Sequence, residues 1–278
     1  HYGFDPEAQQ SQWLAQEDAL LQDPRLSHVA DGMEWTKHWR KDRVDYQGEV
    51  RVLGGEACLW AELVNPDVLS TRLYSRLPTV AERLWSPVSC TDSASMYRRL
   101  QCCWRSLPAD PEAVARKKLL AMGFTEAQLG ALCLLEPVKW YGRLLGEEAL
   151  QARLAGTEMP KARPYHADTL LNRVVDFLPP ESMPARQLAE LSLLEAATQV
   201  KGHLVPWGED LFNAGDELRP VLLCLSKGAD LLFAFSAGEL SAEQALRQMQ
   251  ALAKPQGEYM AAPLISWYAA LTELTTAN

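Results

Sequence analysis

Trp60 and Glu62 stand two positions apart at the end of the run "VLGGEACLWAE". Residues at alternate positions of a β-strand project from the same face, so an indole ring and a carboxylate would lie side by side there. An apolar plate beside a hydrogen-bond acceptor suits a sugar, which has a C–H face and a rim of hydroxyl groups. The spacing by itself favours a simpler alternative, a core tryptophan with a glutamate near its rim.

The element that would carry this pair is a strand over residues 50–60. Val50, Val52 and Leu53 make a short β-type run there. A single strand cannot satisfy its own backbone hydrogen-bonding groups, so another part of the protein must pair with it. Residues 1–107, in which this is the one clear strand, are therefore not predicted to form a self-sufficient domain.

A helix is predicted to follow the strand. It starts at Asn65 and Pro66, which supply an N-cap and a proline in the first turn. Pro78 must bend or split it, because proline lacks the N–H that continues a helix. Apolar residues at intervals of three and four predict one buried face, made of Leu69, Leu73, Leu77, Val80 and Leu84.

The rest of the chain reads as almost wholly helical. The stretch "PADPE" at 108–112 is the predicted boundary between residues 1–107 and a helical domain over 108–278. Ser241 and Gln244 have the spacing of a capping box. Helices are predicted near 92–106, 111–122, 125–134, 137–155, 168–178, 184–203, 216–237, 241–253 and 260–275.

Composition limits the kinds of partner. The chain has 278 residues, is 47% hydrophobic and 23% charged, and carries a net charge of −9, which argues against binding nucleic acid or anionic membranes. No apolar run has membrane-spanning length.

The six cysteines form no C-x-x-C pair, and no cluster of cysteine and histidine has the spacing of a zinc site. Because the sequence begins "HYGFDP", without Met, we expect a processed or cut product.

The stretch at 52–87 resembles the last barrel strand and last helix of the β-N-acetylhexosaminidases of glycoside hydrolase family 20. Members carry a G-G-E-x-x-x-W-x-E strand, an R-L-x-x-R helix and an A-E-R-L-W-S segment. These correspond here to Gly54–Glu62, Arg72–Arg76 and Ala81–Ser86. The resemblance covers about 50–107. Residues 1–49 fit the variable segment between barrel strands seven and eight of the family, and residues 110–278 are similar to a helical C-terminal extension of some bacterial relatives.

The resemblance implies an α/β plus all-α architecture: the last strand and helix of a (β/α)₈ TIM barrel, followed by a helical domain. It implies that Trp60 forms a wall of the pocket for a terminal N-acetylhexosamine. It also implies that Glu62 accepts hydrogen bonds from O4 and O6 of that sugar. The reaction would be hydrolysis of terminal β-linked N-acetylglucosamine or N-acetylgalactosamine, assisted by the substrate's own acetamido group. No metal and no organic cofactor are implied.

The sequence departs from the family because the H-x-G-G-D-E motif with its catalytic Asp-Glu pair is absent. The one similar pair is Asp216-Glu217 in "NAGDELRP", where we predict that Asp216 caps a helix. No catalytic residue is therefore assigned in this chain, which alone should be inactive. Its expected partners are the remainder of the barrel, a carbohydrate with a terminal N-acetylhexosamine and a further copy of the chain.

Two alternatives remain open at this point. Residues 110–278 could form a helical module for dimerisation, or the protein could bind amino-sugars without hydrolysing them.

Among the other charged residues, Glu56 is predicted to be buried and paired with an arginine, and Glu82 and Arg83 are predicted to be structural. The aromatic pairs Trp140-Tyr141 and Trp267-Tyr268 could line a carbohydrate groove, although core positions are more common at helical spacing.

Overall fold

The computed structural model describes residues 57–59, 63–87, 89–107, 109–138, 152, 154–157 and 168–276. The chain divides into two units after Gly54, and all described residues belong to the second, Gly55–Asn278. The predicted strand at 50–60 lies outside the described residues except for 57–59, which are irregular. No helix among the described residues is long and apolar enough to cross a membrane.

The described residues between Leu63 and the first strand are mostly helical. The elements are α1 (Pro66–Tyr74), α2 (Leu77–Trp85), α3 (Ser93–Ser106), α4 (Pro111–Ala121) and α5 (Glu126–Leu132), followed by strand β1 (Leu135–Pro137). Helices α3, α4 and α5 lie at the positions that the sequence predicts. Aspartate or threonine side chains cap all three, since Asp92, Asp110 and Thr125 accept hydrogen bonds from first-turn N–H groups.

The described residues from 168 to 276 are also mostly helical. Their elements are α6 (Val174–Phe177), α7 (Met183–Leu188), α8 (Leu193–Leu204), α9 (Asp210–Asn213), α10 (Gly215–Ser236), α11 (Ala242–Leu252), strand β2 (Tyr259–Ala261) and α12 (Ala262–Thr276). Ser241 and Gln244 form the predicted capping box at the start of α11. The single helix predicted over 184–203 is instead two, because Ser192 caps a new helix.

Strands β1 and β2 pair in antiparallel orientation, with Leu135 opposite Ala261 and Pro137 opposite Tyr259. This pairing was not predicted, since the sequence reads as helix near 137–155 and 260–275. Three-residue strands are too short to show the alternation of apolar and polar residues by which strands are recognised. Most of residues 137–155 lies outside the described part of the chain.

The main hydrophobic core lies among α8, α10, α11 and α12, which pack on one another in sequence order. Trp267 is buried in this core, as expected for an aromatic residue at helical spacing. A smaller cluster joins Leu100 and Trp104 of α3 to Met183 of α7. The second cluster thus connects the region before residue 107 to the region after it.

The predicted long helix after Asn65 is broken where Pro78 requires it, between α1 and α2. Its predicted buried face is wrong, because Leu69, Leu77 and Leu84 are exposed. Which face is buried depends on the neighbouring helices, and α1 buries Val68 and Thr71 rather than Leu69 where it packs on α4 and α6. Helix α2 has no buried residue at all, and Trp85 at its end is 93% exposed.

The proposed division into 1–107 and 108–278 stays a prediction. Helices on both sides of residue 107 nevertheless pack on one another, since α1 contacts α4 and α6. The described residues on the two sides also fall within the same compact unit. Any domain boundary at this point would therefore run through a packed interface.

Candidate functional site

The two residues predicted to hold a sugar, Trp60 and Glu62, lie outside the residues that the structure describes. The described chain resumes at Leu63, which is buried. Two residues, Leu63 and Val64, separate Glu62 from Asn65, the N-cap of helix α1. The observable geometry is therefore that of the segment directly after the predicted sugar-binding pair.

Helix α1 begins at the Asn-Pro pair, as predicted. Asn65 has extended backbone angles, and its side-chain oxygen accepts hydrogen bonds from the N–H groups of Asp67, at 3.0 Å, and Val68, at 3.2 Å. Pro66 occupies the first turn, where its missing N–H costs nothing. These local contacts define where the chain that follows Glu62 enters the helix.

One face of α1 is enclosed by the later helices. Val68, Thr71 and Ser75 are fully buried on this face. At the end of the helix the indole Nε1 of Trp104 donates a hydrogen bond of 3.0 Å to the carbonyl oxygen of Tyr74. Helix α1 is therefore held by packing along one face, while Leu69 stays exposed.

Arg72, the first arginine of the R-L-x-x-R motif, reaches the main chain of a distant segment. Its Nη2 donates to the carbonyl oxygen of Asp176 at 2.9 Å, and its Nη1 donates to that of Leu178 at 3.3 Å. At the other end of α1, Lys118 forms an ion pair with Asp67 at 2.7 Å. Hydrogen bonds from an ionised donor are stronger than neutral ones, so Arg72 is a principal tie between α1 and α6.

Arg76, the second arginine of the motif, pairs with the buried carboxylate of Glu181 at 2.9 Å. Glu181 also accepts a hydrogen bond of 2.7 Å from Arg186. The guanidinium of Arg186 lies 3.6 Å from the centre of the Tyr97 ring, a cation–π contact. Burial, reinforced by the charge of Glu181, raises the pKa of Tyr97.

Glu82 and Arg83 of the A-E-R-L-W-S segment have the structural roles that were predicted. Both oxygens of Glu82 accept hydrogen bonds from Arg99 of α3, at 2.7 and 2.8 Å, and this contact lowers the pKa of Glu82. Arg83 donates to the carbonyl oxygens of Pro87 and Cys90, each at 2.8 Å. Both side chains thus organise the connection from α2 to α3.

Asp216 and Glu217 are not arranged as an acid with a neighbouring carboxylate. Asp216 is exposed and pairs with Arg219 at 2.9 Å, whereas Glu217 accepts a hydrogen bond from the buried hydroxyl of Tyr259. The prediction that Asp216 caps a helix is wrong in detail, since it lies within the first turn of α10, after the N-cap Ala214. The two carboxylates thus have separate structural partners.

The described residues contain no group of three or more His, Cys, Asp or Glu side chains that could hold a metal ion. His203 lies on α8 beside Gly130, and burial lowers its pKa. A methyl group at Gly130 would collide with this imidazole. His203 is thus packed between two helices. The residues His28, His38 and His166 lie outside the described residues, as do Glu56, Trp140 and Tyr141.

Sequence reasoning identified Arg72 and Arg76 as motif positions but named no partner for either. The carbonyl groups that Arg72 contacts stand 104 and 106 residues later in the chain. Main-chain carbonyl groups carry no residue signature, so no pattern in the sequence could have indicated them. Glu181 was also missed, because a single glutamate after a Pro-Pro pair has no distinguishing context.

Comparison with known proteins gives matches at the start of the chain. Residues 4–88 match the family model "Glycosyl hydrolase family 20, catalytic domain". The chain is 38% identical over 87 residues to β-hexosaminidase subunit beta of Mus musculus and 37% identical over 79 residues to that of Homo sapiens. These alignments cover 30% and 27% of this chain, but only 16% and 14% of the relatives.

One solved structure is similar over a larger part. The X-ray structure of Flavobacterium johnsoniae chitobiase aligns with a TM-score of 0.56 and 17% identity, covering 84% of this chain and 38% of the chitobiase chain. Because the family model ends at residue 88, this alignment extends far into the later helices. The chain therefore has a fold similar to part of that chitobiase, including much of the helical region.

Proposed function

We propose, on the premise that residues 4–88 are a segment of a glycosyl hydrolase family 20 catalytic domain, that the whole protein is a glycoside hydrolase of the β-hexosaminidase kind. Its substrates would be carbohydrates with a terminal β-linked N-acetylglucosamine or N-acetylgalactosamine. The observation that carries the proposal is the continuous family match across the segment that contains Trp60 and Glu62. The 278-residue chain spans only a minor part of the length of such an enzyme.

We propose that Trp60 packs its indole against the apolar face of the terminal sugar, and that Glu62 accepts hydrogen bonds from hydroxyl groups remote from the scissile bond. This division of roles follows from chemistry, since an aromatic face excludes water while a carboxylate binds hydroxyl groups strongly. Neither residue would take part in bond breaking. Both would hold the terminal sugar in its pocket.

The proposed reaction is substrate-assisted hydrolysis with retention. The acetamido oxygen of the substrate attacks the anomeric carbon, while a glutamic acid protonates the leaving oxygen and a neighbouring aspartate orients the acetamido group. Neither of those acids has a counterpart in this sequence, which contains no H-x-G-G-D-E motif. We therefore expect them to come from barrel residues outside it, and the 278-residue chain alone to be inactive.

The test is steady-state hydrolysis of p-nitrophenyl N-acetyl-β-glucosaminide by the full-length protein and by two variants. Trp60→Ala should lower kcat/KM by about 100-fold, because it removes both the apolar wall and the exclusion of water. Glu62→Gln should lower it by about 10-fold, since a neutral acceptor binds hydroxyl groups less strongly than a carboxylate. Trp60→Phe, which keeps an aromatic face, should fall between wild type and Trp60→Ala.

Glu239→Gln is the matched control for the glutamate, because Glu239 is exposed at the end of helix α10. It should retain wild-type kinetics. Wild-type values for both Trp60→Ala and Glu62→Gln would contradict the site assignment. Binding of N-acetylglucosamine without turnover by the full-length protein would favour a sugar-binding protein over an enzyme.

A further inference from the structure

We propose that Arg72 is a positioning residue for sugar binding: it ties helix α1, whose N-cap stands three residues after Glu62, to the main chain of α6. This inference rests on the proposed function and adds a residue to it that does not touch the sugar. It assigns a role in sugar binding to the helical region, which would serve as the fixed support for the chain segment that follows Glu62.

The contact that Arg72 makes suits a positioning role. One guanidinium donates to two carbonyl oxygens, those of Asp176 at 2.9 Å and Leu178 at 3.3 Å. Both acceptors are main-chain atoms, so their places are set by the backbone and not by rotatable side chains. A planar guanidinium that bonds two fixed acceptors also has its own orientation defined. Arg72 therefore fixes both the position and the orientation of α1 relative to α6.

The segment that Arg72 contacts is itself held firmly. The N–H of Val175 donates a hydrogen bond of 2.9 Å to the hydroxyl oxygen of Tyr259. Tyr259 is buried, and its hydroxyl group donates in turn to Glu217. Arg173, which precedes α6, pairs with Glu258 at 3.0 Å. These bonds join α6 to strand β2 and helix α10. The support behind Arg72 is therefore continuous with the main core.

Helix α1 transmits this support to the sugar-binding end. Arg72 and Asn65 are seven residues apart, about two turns of one helix, and Val68 and Thr71 between them are buried. A helix of this length moves as a rigid body, so a shift at Arg72 displaces Asn65, which stands three residues after Glu62 in the sequence. Because the residues displaced in this way would bind the sugar remote from the reacting bond, the loss should fall on KM rather than on kcat.

The experiment compares the full-length wild-type enzyme with Arg72→Ala and Arg72→Lys. For Arg72→Ala we expect KM for p-nitrophenyl N-acetyl-β-glucosaminide to rise about 10-fold, which is about 1.4 kcal/mol of binding. The inhibition constant of N-acetylglucosamine should rise in parallel. We expect kcat to stay within about threefold, because Trp60 and Glu62 bind the sugar away from the scissile bond. Arg72→Lys keeps the charge and can reach one carbonyl, so it should recover part of the loss.

Two controls separate positioning from stability. Met249→Ala creates a cavity at a fully buried residue of α11 and should lower the melting temperature without changing KM. Arg219→Ala removes an exposed arginine that pairs with Asp216 and should change neither quantity. If Arg72→Ala fails to fold, a KM increase of about threefold in Arg72→Lys supports the proposal, and an unchanged KM in that variant overturns it.

The outcomes also separate this inference from the proposed function. An inactive wild-type enzyme would overturn the function and, with it, the positioning role. An active wild type whose folded Arg72→Ala variant keeps its KM and its inhibition constant would overturn the positioning role alone. In that case a lowered melting temperature would show that Arg72 serves stability only.

Discussion

At the scale of single residues, the two arginines of the R-L-x-x-R motif bind partners of different kinds. Arg72 bonds main-chain carbonyl oxygens, whereas Arg76 shares the buried carboxylate of Glu181 with Arg186. A buried carboxylate is costly to leave without its charged partners, while an exposed ion pair contributes little. The effect of an ion pair on the free energy of unfolding therefore depends on how deeply its carboxylate is buried.

The first prediction concerns this buried acid. Glu181→Gln keeps the shape of the side chain but removes the charge that Arg76 and Arg186 share. We expect the free energy of unfolding of the 278-residue chain to fall by about 2 kcal/mol, less than for a fully buried pair because Arg76 is half exposed. Urea unfolding followed by far-UV circular dichroism measures this difference.

The matched control is Glu190→Gln. Glu190 pairs with Arg98 at 3.9 Å, and both side chains are 63% exposed. Its replacement should change the free energy of unfolding by less than about 0.5 kcal/mol. Equal effects of the two substitutions would show that the burial of Glu181 has no energetic role.

At the scale of elements, local signals place the helices well. The cap at Asn65, the capping box at Ser241 and the break at Pro78 were all predicted and are all observed. Each of these signals acts within four residues of the chain, so sequence alone contains the information. Which face of a helix is buried depends instead on its neighbours, and the predicted buried face after Asn65 was wrong for that reason.

Two glycines in helix interiors give the second prediction. In Gly228→Ala the new methyl group would collide with Leu264 and lie 3.4 Å from Trp267, both of which are buried and cannot move freely. We expect the clash to outweigh the better helix propensity of alanine, for a net loss of about 1–2 kcal/mol. Thermal and urea unfolding of the chain measure the loss.

Gly202→Ala is the control, because it makes the same chemical change in helix α8 where nothing lies within 4 Å of the new methyl group. This variant should gain about 0.5–1 kcal/mol from helix propensity alone. If both variants are stabilised, the close contact between α10 and α12 at Gly228 does not exist in solution.

At the scale of the whole molecule, the segment that follows the predicted sugar-binding pair is built into the helical region. Val68 and Trp104, both fully buried, lie on helices before residue 107, and much of what covers them lies after it. The later helices also align with part of a chitobiase fold, with 17% identity. The helical region therefore packs against the segment that matches the family 20 model.

The third prediction follows from this shared packing. A fragment of residues 1–107 should show no cooperative unfolding transition, because α1 and α3 lose the partners that bury Val68 and Trp104. The 278-residue chain measured under the same conditions should unfold cooperatively. The measurement is far-UV circular dichroism against urea, and a cooperative transition of the fragment with similar midpoint would contradict the prediction.

The sequence by itself determined the features that depend on neighbouring residues: the helix starts and caps, the break at Pro78 and the motif match at Gly54–Glu62. Tertiary structure alone decided the pairing of β1 with β2, the buried face of the helix after Asn65 and the partners of Arg72. The physical reason is the distance along the sequence over which each interaction acts. A cap or a break is set by bonds within one helical turn, whereas the acceptors of Arg72 are main-chain atoms 104 and 106 residues away.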